Sequence, residues 1–431
     1  MTTLTAPETR GALLGSDRLR RATLGLSSAL FVFAAATAVA QLALSERIDR
    51  RGGCGFDGYY YCLMLKGTTV PTPFSRRILL PFLAKHVSAD SLAGFWVVNV
   101  VSLVGATALA MYVAWRLGRV AAEREPAYAL VPPLLVGAVF LFARNSFHLI
   151  ATYPALSDPL ALLMLMGAAA LVVTPLLPTT RLLLVPICFL APLSREELAP
   201  VLGLGLVLAA AMRLVPSALA VAGVAASAAG AAFAFHQPSS GSAGLCPTRH
   251  STYVPCPESV TSTLRFWLDW DFGNWNGMLR FTAMVALAFG PFVLFLGPLR
   301  RALASSRPAL WIAGVAAIFT AVVIFGGGDT DRILTPAGLL VALAVMLAAR
   351  GSGAALLGLG VAVAAYAVQQ EPLHAVDGDP IQWLTFFGLR GTGVSSVVRY
   401  AVVPSLVAVP LAIAGLLVVR FRQRLGERPA T

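Results

Sequence analysis

The chain has 431 residues, 58% of them hydrophobic and 12% charged, with a mean hydropathy of +0.78, which excludes an ordinary soluble enzyme or binding domain. Its net charge of +12 arises from 32 Lys+Arg against 20 Asp+Glu. The arginines are scattered over short segments such as RLRR (18–21), LRR (299–301) and RFRQR (420–424) between apolar runs, which excludes a nucleic-acid patch and points to the inner side of a membrane.

Helices rise about 1.5 Å per residue, so runs of roughly 17–25 apolar residues cross a hydrocarbon core of about 30 Å, and such runs recur along the whole chain. The expected fold is all-α: one polytopic transmembrane helical bundle over residues 1–431, with short interfacial helices in its outer loops. The spans are read as 23–45, 92–115, 127–143, 159–178, 182–194, 198–212, 215–235, 278–298, 309–325, 333–349, 354–368 and 400–419, about twelve in all. No small-residue cleavage site follows the first run, which is taken as a retained span. The fifth and sixth runs are short, and stay open between two full spans and a re-entrant pair within 182–212.

With the N-terminus in the cytoplasm, the inside segments, including the tails 1–22 and 420–431, hold 17 Lys+Arg and 5 Asp+Glu, and the outside segments, counting Arg280 at the outer edge of the run 278–298, hold 15 of each. The whole net charge then lies inside, as membrane insertion favours. Ala, Leu and Arg dominate and only Lys66 and Lys85 represent lysine, a usage typical of GC-rich genomes, so the expected setting is a bacterial inner membrane with both termini cytoplasmic.

In chain order, the first outer loop (46–91) carries GCGFDGYYYCLMLKG (53–67), with Asp57 and Tyr59, Tyr60 and Tyr61 between Cys54 and Cys62. Asp57 reads either as a catalytic carboxylate or as half of an Asp-Gly turn, and the tyrosines either as sugar-stacking rings or as an aromatic belt. PFSRRILLP (73–81) brings Arg76 and Arg77, and SRRILLPFLAKHV (75–87) reads as an interfacial helix. RNSFH (144–148), YPALSDP (153–159) with Asp158, and LSREEL (193–198) with Arg195, Glu196 and Glu197 follow. The outer loop 236–277 holds LCPTRHSTYVPC and RFWLDWDFGNW (265–275), whose Trp267, Trp270 and Trp275 suggest a second interfacial helix. GGGDTDR (326–332) places Asp329, Asp331 and Arg332 in a flexible outer turn, and HAVDGD (374–379) closes the series.

Two local disulfides are expected outside, Cys54–Cys62 and Cys246–Cys256, with free thiols as the alternative; Cys188 lies in a span. His148, His250 and His374 are isolated, so no metal site is expected. No cofactor is expected either, a divalent metal being left open, and no Ser/His/Asp, Walker or dinucleotide pattern occurs.

All these polar clusters fall at the outer ends of the proposed spans, which suggests a shared cavity, because charge at membrane depth is costly and usually faces a bundle interior. One carboxylate and several arginines there suit sugar transfer from a lipid phosphate: guanidiniums hold phosphate, and Asp57 takes the acceptor's proton. At the level of architecture the chain resembles the C-type fold of integral-membrane glycosyltransferases, on the position of FDGYYYCLMLKG directly after the first span and of SRRILLPFLAKHV behind it. The resemblance implies a polyprenyl-phosphate sugar as donor, a glycolipid or cell-envelope glycan as acceptor, membrane lipids as surroundings and no nucleic-acid partner. It carries Asp57 over as the essential acidic residue. Tyr59, Tyr60, Arg76, Arg77, Asp158, Arg195, Glu196, Asp329, Asp331 and Arg332 are the expected substrate-binding residues. The competing readings are a transporter or lipid flippase, against which few mid-span ionisable residues and no two-fold repeat are found, and a non-catalytic partner of an envelope complex.

Overall fold

A computed structural model of the protein describes residues 8–44, 57–119, 128–143, 145–152, 154–241, 245–247, 253–255, 268, 272–273, 275–323, 330–350, 352–370 and 403–426. In chain order these form α1 (Glu8–Leu44), α2 (Asp57–Leu65), α3 (Leu79–Val87), α4 (Ser91–Arg119), α5 (Val131–Phe142), α6 (Phe147–Thr152), α7 (Asp158–Val173), α8 (Pro178–Arg181) and α9 (Leu184–Ser194). There follow α10 (Leu198–Ala211), α11 (Ser217–Phe235), a ribbon of β1 (Leu245–Pro247) and β2 (Tyr253–Pro255), α12 (Trp275–Phe289), α13 (Arg300–Ser305), α14 (Arg307–Val323), α15 (Thr330–Ala349), α16 (Gly353–Gln370) and α17 (Val403–Gly426).

Each of the twelve apolar runs falls on a helix. Five stretches are long and apolar enough to cross a membrane: Leu19–Ala43, Leu92–Gly118, Ser217–Phe235, Arg332–Ala349 and Gly353–Gln370. The other runs form apolar helices of 10–17 residues: Val131–Phe142, Asp158–Val173, Pro178–Ser194, Leu198–Ala211, Phe281–Leu296, Arg307–Val323 and Leu406–Val418. Ala and Leu favour helix intrinsically, and a helix satisfies its own backbone groups where water is absent. Prolines mark the boundaries: Pro132 and Pro133 lie in the first turn of α5 and Pro159 in that of α7, where no N–H is needed. The short fifth and sixth runs are two helices joined by only three residues, Arg195, Glu196 and Glu197.

The described chain is all-helical as expected, apart from one short ribbon. β1 and β2 pair antiparallel, with Cys246 opposite Val254. This segment lies between apolar runs, and its Thr, Tyr and Val are strand formers.

Helix α15 is the centre of the bundle: 89% of Arg332–Ala349 is buried, against 22% of the most apolar stretch within Leu19–Ala43 of α1. It packs against α4, α5, α12, α14 and α16. Its contact with α12 depends on Gly338, where a methyl group would overlap the carbonyl of Ala288. Gly338→Val is expected to lower stability by about 1–3 kcal/mol, read as a fall in the thermal unfolding midpoint in detergent; an unchanged midpoint would show that the two helices separate freely.

The two ends of the bundle differ chemically. At one end arginines cap helix C-termini: Arg350 donates to the Leu117 carbonyl at 2.9 Å, and Arg181 to those of Thr174 and Leu214 at 3.2 and 3.3 Å. These carbonyls lack partners within their helices, and a cation there also suits the helix dipole. The opposite end gathers both acids and bases.

Candidate functional site: a charged network at one end of the bundle

Helices α7, α10 and α15 all begin at this end, and α9 finishes there. The connection from α9 to α10 is tight, so its three charged residues have no room to spread into solvent. Arg195 is extended (φ −152°, ψ 126°) and only 8% exposed. Its guanidinium pairs with Asp158, the first residue of α7, and through Nε with Glu197, immediately before α10. Arg332, 8% exposed near the start of α15, brings its Nε to 3.9 Å from the same Asp158 oxygen. Both acids stand at helix N-termini, where the backbone dipole favours negative charge.

A second pair joins this network to the segment carrying α2 and α3. Arg77 donates through Nε and Nη2 to the two carboxylate oxygens of Glu196, each at 2.9 Å. Burial works to raise the Glu196 pKa, but the charge and hydrogen bonds of Arg77 outweigh it and hold the carboxyl down at about 2. Burial likewise works against the charge on Arg77, and Glu196 reverses this, raising its pKa well above the ordinary guanidinium value.

The α2–α3 segment also rests on its own apolar seat, in which Tyr61, Cys62, Phe74, Leu80 and Ala84 pack against Phe95, Leu160, Leu193 and Ala234. Tyr61 is 1% exposed, and its hydroxyl lies 3.3 Å from Ser157 Oγ, directly beside Asp158. The extended segment before Ser157 is fixed from the other side by Asn99, fully buried in α4, whose Nδ2 donates to the carbonyls of Pro154 and Leu156 at 2.5 and 2.8 Å. Asn145 donates to Thr335 Oγ1 at 3.1 Å, drawing the start of α6 to α15.

Five of the polar clusters expected on one side therefore meet: those of Arg77, Asn145, Asp158, Arg195 with Glu196 and Glu197, and Arg332. Among the described residues, what these clusters form is a packed ion network. Asp158, Arg195 and Glu197 line a cavity of about 10 Å³, closed by Leu162, Leu165, Phe319 and Pro336, which is room for about one water molecule. Among the described residues, three guanidiniums face three carboxylates.

The remaining expected residues are placed as follows. Asp57 opens α2, one helical turn before Tyr61, and its side chain lies outside the described residues. Its Asp-Gly pair begins a helix, not a free turn. Tyr59 is 53% exposed, and Tyr60 stacks on Phe74 with ring centroids 4.4 Å apart, so Tyr61 is the tyrosine that reaches the network. Arg76 lies with its guanidinium 3.9 Å over the Phe235 ring at the end of α11. The interfacial helix expected over 75–87 begins later, at Leu79, after a tight turn over Phe74–Arg76, because the Arg77 backbone (φ −93°, ψ 55°) leaves the helical region beside the residue that reaches Glu196.

Asp331 is the second residue of α15 with its side chain outside the described residues; Asp329, HAVDGD, Trp267 and Trp270 lie outside them altogether. Trp275 opens α12 and is 72% exposed. Cys62 is disulfide-bonded, while Cys54 lies outside the described residues, as does the side chain of Cys246. Cys188 is a buried free thiol.

Sequence reasoning did not select Ser157, Asn99 or Glu197 as site residues, and weighed Tyr61 only as a stacking ring alongside its two neighbours. A legible signal existed for Asn99, a lone amide inside the apolar run WVVNVVSL.

Comparison with protein-family models, with curated proteins and with solved structures finds no match to this chain.

Proposed function

We propose that the protein is a membrane glycosyltransferase that moves a sugar from a polyprenyl phosphate to a glycolipid or envelope glycan, with twelve spans and the charged network on the outer face. The observation that carries this reading is the fastening of the Asp57 segment over the network, through Tyr61 to Ser157 and through Arg77 to Glu196. The outward placement draws support from the inside excess of arginine and from the disulfide at Cys62, which suits an oxidising compartment.

In this reading Asp57 accepts the proton of the acceptor hydroxyl as its oxygen attacks the anomeric carbon. The bond from that carbon to the phosphate oxygen breaks, and the polyprenyl phosphate departs with the electron pair. Its charge meets a region that is more positive than the ion count alone gives. The arginines and acids balance, but the N-termini of α7, α10 and α15 add partial positive charge, on the order of half a unit each. Placement of the acid–arginine network at one end of the bundle favours this chemistry over transport, which works from sites near the midplane.

The test is transfer from a polyprenyl-phosphate sugar in proteoliposomes. Asp57→Asn is expected to lower the rate by at least 100-fold, by loss of the base; full activity in that variant would remove the reading. The mutual pairing of acids and arginines among the described residues favours a second reading, a non-catalytic partner of an envelope complex, in which neither Asp57→Asn nor Arg332→Ala changes ligand binding.

A further inference from the structure

The charged residues of the network are matched, but the turn just outside it holds a cation that is not. Among the described residues, no carboxylate lies within ion-pair distance of Arg76, and its Nε is buried without a hydrogen-bond partner. The preceding residue repeats the pattern: Ser75 is 3% exposed, and its Oγ also lacks a partner. Two consecutive unpaired polar groups are unusual in a folded chain, where nearly all such atoms find a protein or solvent partner.

The surroundings indicate what completes them. The Arg76 guanidinium lies over Phe235, which is itself 55% exposed. Stacking uses the flat face of a guanidinium and leaves its in-plane N–H groups for the fork that matches two oxygens of a phosphate. Tyr59, Phe82 and Phe233 are further exposed aromatic side chains at this end of the bundle, the pattern of a membrane–water boundary, where lipid phosphates lie. Neighbouring Arg77 contributes no free charge, being held by Glu196. A single unpaired cation on an aromatic ring at headgroup level, beside an apolar helix face with Val221 also exposed, fits a lipid bearing one phosphate and a long apolar chain.

We infer that Arg76, held flat on Phe235, is the phosphate-recognition residue for a polyprenyl phosphate whose chain lies along the outside of α11. The inference rests on the proposed function for the identity of the lipid, and on the geometry of the Phe74–Arg76 turn for the position of its phosphate.

The experiment is equilibrium binding of a short-chain polyprenyl monophosphate to the purified full-length protein in detergent, with the corresponding polyprenol as the uncharged control. Wild type is expected to prefer the phosphate to the alcohol. Arg76→Gln is expected to weaken phosphate binding about tenfold, the usual worth of a charge-assisted hydrogen bond, and to leave alcohol binding unchanged. Arg76→Lys, which keeps the charge without the fork, is expected to fall between them. Phe235→Leu, which keeps an apolar side chain but no ring, is expected to weaken phosphate binding by a smaller factor. Equal affinity of wild type and Arg76→Gln, with both variants still eluting as monodisperse protein, would overturn the inference.

Competition identifies the source of the phosphate. Displacement of the probe by phosphatidylglycerol at similar concentration would overturn the assignment in favour of a bulk-lipid headgroup contact. Displacement by inorganic phosphate would reduce it to a general anion site. Arg76-dependent binding without any sugar transfer would leave this inference standing and remove the transferase reading, so the two fail separately.

Discussion

Asp158→Asn is expected to lower the stability of the folded bundle by about 3–5 kcal/mol, the largest effect of any single substitution at this end of the molecule. The carboxylate pairs with Arg195 and lies 3.9 Å from Arg332, two guanidiniums whose residues are each 8% exposed. Removing the negative charge leaves both cations in place with less compensation, and water enters poorly where the neighbouring cavity admits about one molecule. The amide is nearly the same shape, so the loss is electrostatic and not steric.

Equilibrium unfolding in mixed micelles measures this effect, and a double-mutant cycle with Arg195→Gln isolates it. The pair is expected to be non-additive: Asp158→Asn in the Arg195→Gln background should cost at least 1 kcal/mol less than in wild type, because the stranded cation has already gone. Additive effects, each below 1 kcal/mol, would mean that solvent screens the network and that its charges are a surface feature. Glu197 keeps Arg195 partly compensated in the single variant, which places the expected cost toward the lower end of the range.

The placement of the helices was legible because membrane spans obey a single strong constraint. Apolar length sets the span, so all twelve runs recur as helices, and Pro159 and the three residues 195–197 mark real helix ends. Counting the apolar runs alternately put the clusters on one side, and five of them do meet among the described residues. What alternation does not carry is which charges touch. LSREEL alone gives no means of knowing that Arg195 turns to Asp158 while Glu196 turns outward to Arg77, because those choices follow from the azimuth of each helix about its axis.

The same gap explains the tyrosines. Three consecutive rings point in three directions on a helix, and only packing against Phe95 and Ser157 selects Tyr61 as the inward one. Arg76 and Arg77, adjacent in sequence and equivalent as residue types, likewise diverge: one meets a carboxylate and the other a phenyl ring.

The Arg77–Glu196 pair gives the second large effect, one that appears as a dependence on pH. Glu196 has its pKa held at about 2 in the folded protein against an ordinary value of 4.5. Its folded-state pKa is depressed, so its contribution is fully present above about pH 4.5 and is lost as the pH falls toward 2. At 1.36 kcal/mol per pH unit the difference between about 2 and 4.5 amounts to on the order of 3 kcal/mol. The side chains are only 11% and 21% exposed, so solvent screens the pair weakly.

Wild type is therefore expected to lose stability between pH 4.5 and 2 more steeply than Glu196→Gln, which should start lower at pH 7 and converge with wild type in acid. Parallel curves would show that Glu196 titrates alike in the folded and unfolded chains. Arg77→Lys tests the geometry: an ammonium supplies the charge but not the two parallel N–H bonds at 2.9 Å, and is expected to recover only part of the stability. Because this pair is what ties the α2–α3 segment to the α9–α10 connection, its loss frees the start of α2 as well as costing energy. If Asp57 is the base, Glu196→Gln then lowers the transfer rate at pH 7 even where the bundle stays folded. A variant that unfolds at lower denaturant yet transfers sugar at the wild-type rate would separate the latch from the chemistry.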